Sequence, residues 1–141
     1  MKKLKSNIGE YGVIVNKLGE FLILKLPSSK TFKKELWMFP GGRVEINEQA
    51  EETLRREIIE ETSLKVKIIT PIHTAIWGYD NPDKYSVFYL CKIVGSDKVK
   101  ISREHIEYAW IDFKDIEKIS WHNINSKIAA KKGKYFLEHF K

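Results

Sequence analysis

The 141-residue chain has a single cysteine, Cys91, so no internal disulfide can form and a disulfide-stapled scaffold is excluded. It lies in the apolar run Ser86-Val87-Phe88-Tyr89-Leu90-Cys91, where a buried structural thiol in a reducing compartment is expected. Arginine is scarce as well. Four arginines stand against 21 lysines, although Lys+Arg outnumber Asp+Glu by 25 to 19 for a net charge of +6. Forked recognition of phosphates and base edges favours arginine, so this excess reads as dispersed solubilising charge, and a nucleic-acid partner is not expected. Long apolar runs are missing: nothing approaches the roughly 20 residues of a membrane span. The basic start, Met1-Lys2-Lys3-Leu4-Lys5, leads only into Tyr11 to Val15, too short a stretch for a secretory signal. A cytoplasmic protein without a membrane partner is expected. Internal repeats, low-complexity tracts and linkers are also lacking.

With 43% hydrophobic residues and 12% aromatics, the chain can build a core, and its length predicts one domain over residues 1–141. Residues 11–16 and 20–26 are β-branched-rich runs around Lys17-Leu18-Gly19, a hairpin signal. Leu36-Trp37-Met38-Phe39 is closed by Pro40-Gly41-Gly42, and Arg43 to Ile46 alternates before Asn47, which is positioned to cap a helix. From Glu48 to about Thr62 the pattern is helical, with Ala50, Leu54 and Ile58 in one apolar stripe. Strands are predicted at Leu64–Thr70, His73–Tyr79, Tyr85–Val94, Lys98–Ile101 and Tyr108–Asp112, and the stretch from Asn123 to Phe140 reads as mostly helical apart from Gly133. Many strands with one helix in the middle and one at the end predict an α+β domain, a mixed sheet with helices on its faces.

The chemistry concentrates on the first helix. At about 100° per residue, Glu57, Glu60 and Glu61 converge beside the apolar stripe, where they repel one another and the helix C-terminus disfavours them further. Such an arrangement calls for a counter-charge, and hard oxygen ligands match Mg²⁺ or Mn²⁺. A solvated acidic helix face is the alternative for an isolated Glu pair.

The spacing is more specific. Gly42, five residues, Glu48, seven residues, Arg56-Glu57, Ile58, one residue, Glu60-Glu61, one residue, Ser63 and Leu64 resembles the signature of the Nudix hydrolase family, with Ser63 where the family has Gly. The resemblance implies a Nudix-type α/β/α sandwich, with a loop–helix–loop that holds divalent metal, Mg²⁺ or Mn²⁺, against a diphosphate. Glu57 and Glu61 would then be the principal metal ligands, Glu60 an additional or water-mediated one, and the Gly41 carbonyl a further ligand. Arg56 would orient the glutamates through an ion pair to Glu48 or Glu57. An ordinary helix-surface pair with Glu60 or Glu52 is its alternative. Ser63 leaves open whether the chain turns there through the left-handed region, as a Gly would.

The general base implied by the family lies in a loop before a late strand. Glu104 is the first candidate and Glu107 the second, with His105 a loop residue and not a catalyst. Trp77, Tyr79 and Tyr85 are candidates for stacking on a nucleobase, and Arg43 and Lys25 for touching phosphate. The expected activity is a metal-dependent pyrophosphohydrolase acting on a nucleoside diphosphate linked to a further group. A nucleoside triphosphate, a nucleotide sugar and a dinucleoside polyphosphate all remain compatible. A non-catalytic nucleotide- or RNA-binding module is the competing reading, and a homodimer is left open.

Overall fold

The computed structural model describes residues 4–28, 35–76 and 84–140. Strands β1 (Lys5–Val15), β2 (Glu20–Lys25), β3 (Trp37–Met38), β4 (Gly41–Glu45), β5 (Val66–Ile76), β6 (Tyr85–Ile93) and β7 (Glu107–Asp112) form one sheet. Helix α1 (Ala50–Thr62) follows β4, and α2 (Ile124–His139) follows a 3₁₀ turn at Phe113–Lys118. The sheet order is β3-β2-β1-β6-β5, with β4 also paired to β1 and β7 to β2. The β1–β6 pair is parallel and every other pair antiparallel, so the sheet is mixed as expected.

The central strands are apolar on both faces because both faces are covered. Ile14, Leu22, Leu24, Tyr89 and Cys91 pack with Leu54 and Ile58 of α1. Their sequence neighbours Val13, Val15, Phe21, Ile23, Phe88 and Leu90 pack with Ala129 and Ala130 of α2. Small residues let α2 lie close: a Cβ on Gly133 would already be 3.5 Å from Ile72 and Val13. The result is the α/β/α sandwich.

Three local expectations are corrected. Leu64–Thr70 and His73–Tyr79 are not two strands, for β5 runs unbroken through Pro71 to Ile76, and residues 77–79 lie outside the described residues. β5 is an edge strand whose register with β6 shifts on either side of Pro71, so the absent proline N–H costs no ladder bond. Lys98–Ile101 forms no strand; it lies against the end of α1, where Lys100 N–H donates to Thr62 O at 2.9 Å and Ser102 N–H to Glu61 O at 3.2 Å. Those bonds occupy carbonyls that the helix itself leaves unpaired. Asn47 is not the helix cap: it takes the left-handed conformation, φ 71°, in a turn closed from Glu48 N–H to Glu45 O, and Gln49 stands at the cap position without a side-chain bond.

Candidate active site

β4 runs antiparallel to β1 with Tyr11 opposite Gly41, Glu10 opposite Gly42 and Gly9 opposite Arg43. A Cβ on Gly41 would lie 2.0 Å from the Glu10 carbonyl oxygen, so only glycine fits that approach. A Cβ on Gly42 would lie 3.2 Å from the Glu57 carboxyl carbon, which places that carboxylate directly against the strand backbone. Gly41 N–H donates to Glu61 Oε1 at 3.3 Å. One turn of α1 therefore presents Glu57 and Glu61 to the same Gly-Gly edge. Glu60 turns outward and remains exposed, bonded to Arg56.

The buried Glu61 carboxyl is crowded by other carboxylates. Burial pushes the Glu61 carboxyl up to about 8; Glu57, Glu104 and Glu60 add to the shift, and the Gly41 N–H opposes it. Glu61 Oε2 is buried without a hydrogen-bond partner. Glu57 is raised too, first by burial and then by Glu60 and Glu104, against the opposing influence of Lys5 and Arg56. Arg56 gathers Glu45 at 2.7 Å, Glu48 at 3.0 Å, Glu60 at 3.2 Å and Glu57 at 3.6 Å. The expected partners Glu48 and Glu57 and the alternative Glu60 all belong to this network, as does Glu45, which the signature does not specify. Thr53 Oγ1 donates to Glu48 as well, so the glutamate at the start of the helix is held from two sides.

Among the described residues no three His, Cys, Asp or Glu side chains form a ready-made metal cage. The donor set is open instead: two inward carboxylates, one with an orphaned buried oxygen, beside a bare backbone edge. That set fits Mg²⁺ or Mn²⁺, which bind through one or two carboxylates and complete their shells with waters and phosphate oxygens.

Glu104 lies in an exposed turn, and its charge acts on both Glu57 and Glu61. Glu107 instead pairs with Lys25 at 3.1 Å, and Lys25 also lies over the Trp37 ring. That engagement occupies the second candidate base and one candidate phosphate contact together. His105 is buried, with its Nδ1 unpartnered and its pKa lowered by burial.

Arg43 follows Gly42 by one residue and so points to the opposite face of β4, the face of Tyr11. There a cleft of about 90 Å³ is lined by Tyr11, Phe39, Phe88, His122, Asn123 and Asn125, among others. Sequence reasoning missed this cleft, because its walls come from four separate elements. Trp77 and Tyr79 lie outside the described residues, and Tyr85 is exposed at the start of β6. Glu10 was missed too: an acidic residue in an apolar strand carries no signal of its role until its neighbours are known.

Fold and site together define a sandwich whose loop–helix–loop gathers carboxylates at a Gly-Gly edge. The NUDIX domain model matches residues 9–132, and the chain belongs to that family. It is accordingly a hydrolase acting on phosphoanhydride bonds. It is 30% identical to the nucleoside triphosphatase NudI of Klebsiella pneumoniae (strain 342) over 117 residues, covering 74% of this chain and 81% of that protein. It is 31% identical to NudI of Escherichia coli O139:H28 over 108 residues, covering 70% and 77%. Among solved structures, a MutT protein from Methanosarcina mazei Go1 superposes with a TM-score of 0.74 at 26% identity over 95% of both chains. An Ap4A hydrolase binary complex from C. elegans superposes with a TM-score of 0.78 at 26% identity, covering 94% of this chain and 98% of that one.

Proposed function

We propose that this chain is a Mg²⁺- or Mn²⁺-dependent pyrophosphohydrolase of nucleoside triphosphates. The observation that carries the reading is the convergence of Glu57 and Glu61 on the Gly41-Gly42 edge, with Glu61 buried and one of its oxygens unpartnered. A binding module that performs no chemistry has no use for mutually repelling carboxylates gathered against that edge. The triphosphatase relatives support the substrate class.

In this reading Glu57, Glu61 and the Gly41 carbonyl would hold the metal, with Glu60 an additional or water-mediated ligand. The bound metal supplies a Lewis acid for the phosphate chain and lowers the pKa of water. Arg56 holds Glu45, Glu48, Glu57 and Glu60 in one network and fixes the direction of the ligand side chains. Glu104 takes the proton of the attacking water. Arg43 meets a phosphate, and the cleft beside Tyr11 receives the base, where stacking on an aromatic contributes about 1–3 kcal/mol. Tyr79 belongs to this proposal on its sequence position alone.

The test is a hydrolysis screen with Mg²⁺ or Mn²⁺ over nucleoside triphosphates, nucleotide sugars, ADP-ribose and dinucleoside polyphosphates. Triphosphates are expected to turn over fastest, and Glu57→Gln and Glu61→Gln each to remove most activity while the folded state remains. Undiminished turnover in excess EDTA overturns the metal assignment. Preference for a dinucleoside polyphosphate would instead align the chain with the Ap4A hydrolase neighbour, and binding of nucleotides without turnover of any would favour the binding module.

A further inference from the structure

Glu10 is 1% exposed, and both its carboxylate oxygens are buried without a hydrogen-bond partner. A carboxyl group placed so is strongly disfavoured when charged and uncompensated. Its position explains where compensation could come from. Along β1, Tyr11 and Val13 pack toward α2, while Ile14 packs toward α1 and a Cβ on Gly12 would touch Ile58 of α1 at 3.0 Å. By the two-residue period Glu10 shares the α1 face. Opposite it on β4 stands Gly42, whose missing side chain leaves the Glu57 carboxyl group against the backbone. Glu10 therefore projects beneath α1 into the gap beside Glu57. The charged side chains that act on it are Glu48, Glu57 and Glu51, all acidic; burial contributes more than any of them, and the backbone at Leu54 works weakly the other way. Among the described residues no cation pairs with Glu10 itself, because Arg56 and Arg55 pair with those acids instead, and an apolar residue of similar size would satisfy this part of the core at lower cost.

We propose that Glu10 is an additional carboxylate of the divalent-cation site, reaching the cation from strand β1 beneath helix α1 on the side opposite the solvent. The site then draws on two elements in addition to the glycine edge: Glu57 and Glu61 from the helix and Glu10 from the sheet. In the octahedral shell of a hard cation, three carboxylates still leave places for water and phosphate oxygens. A buried ligand of this kind raises affinity for the ion without narrowing the substrate's approach.

The inference rests on the metal-dependent reading above, and the experiment separates the two. Mn²⁺ binding to the full chain is measured by titration calorimetry for the native protein, Glu10→Gln and Glu57→Gln, without nucleotide. Thermal melting in EDTA is recorded alongside. The native chain is expected to bind Mn²⁺, and Glu10→Gln to weaken that binding at least tenfold or remove one bound ion, while melting in EDTA at or above the native temperature. Weakening of less than tenfold with unchanged stoichiometry in Glu10→Gln overturns the inference and leaves the metal reading intact. If the native chain binds no Mn²⁺, both fail together. Should Glu10→Gln not fold, Glu10→Met, close in volume and without polar atoms, takes the same measurements and is read by the same criteria.

Discussion

Ser63 carries the chain's departure from the family signature. It takes φ 65° and ψ 13°, the left-handed conformation, with its N–H bonded to Ile59 O at 2.8 Å. The substituted residue thus performs the turn a glycine would make, at a backbone cost of roughly 1–2 kcal/mol. Ser63→Gly relieves that strain and adds unfolded-state entropy, for a net expected gain of about 0.5–1 kcal/mol, visible as a higher calorimetric melting temperature. A fall in melting temperature would mean that the Ser63 hydroxyl bond to Lys100 O, long at 3.4 Å, outweighs the backbone term. Glu104→Gln belongs to the same scale. It is expected to lower kcat about 100-fold at little changed KM, because a general base acts in the transition state. Glu107→Gln, which only frees Lys25, should change kcat far less, and the reverse order would exchange the two roles.

Helix α1 was legible as an element because Leu54 and Ile58 repeat at helical spacing, and both are fully buried. Its start was not. Asn47 is among the best cap residues, but asparagine also tolerates the left-handed backbone, and here the turn claimed it. The side chain of Gln49, left at the cap, accepts nothing from the first turn. Gln49→Ser is therefore expected to stabilise the protein by roughly 0.5–1 kcal/mol in urea unfolding, through a new bond to an unpaired first-turn N–H. An unchanged midpoint would show that these donors are already satisfied by water. Lys98–Ile101 fails as a strand for a related reason: the N–H groups of Lys100 and of Ser102 just beyond it bond to the last carbonyls of α1 and not to a neighbouring strand.

On the scale of the whole molecule, stability and pH are linked through the buried carboxyls. Glu10 and Glu61 sit near 8 when folded against an ordinary 4.5, so between those values the folded protein holds more protons than the unfolded one. Their stabilising contribution is complete below pH 4.5 and is lost as pH rises through about 8. His105 and His122, lowered by burial, act in the opposite sense, but only near and below their ordinary 6.5, where they must stay neutral to remain buried. From about pH 7 to 8.5 the carboxyls dominate, and the melting temperature in EDTA is expected to fall across that window. Saturating Mn²⁺ should flatten the fall, because it stabilises the ionised ligands. A flat curve in EDTA would show these carboxyls already compensated without metal.

The α+β class, the sandwiched sheet, the first helix and its three glutamates could all be read from residue order, because hydrophobic period and motif spacing are local along the chain. The glycine edge could be read only as a motif. Its physical necessity, a Cβ 2.0 Å from the Glu10 carbonyl, depends on a strand thirty residues away in sequence. The same holds for the division of labour among the glutamates. The helical period brings Glu57, Glu60 and Glu61 to one side, and packing against β4 then buries Glu61 and leaves Glu60 in solvent. Glu10, the cleft behind Tyr11 and the capture of Glu107 by Lys25 arise from β1, β2, β4 and β7 meeting across long loops. Charge compensation and burial are properties of that meeting and are written in no single segment.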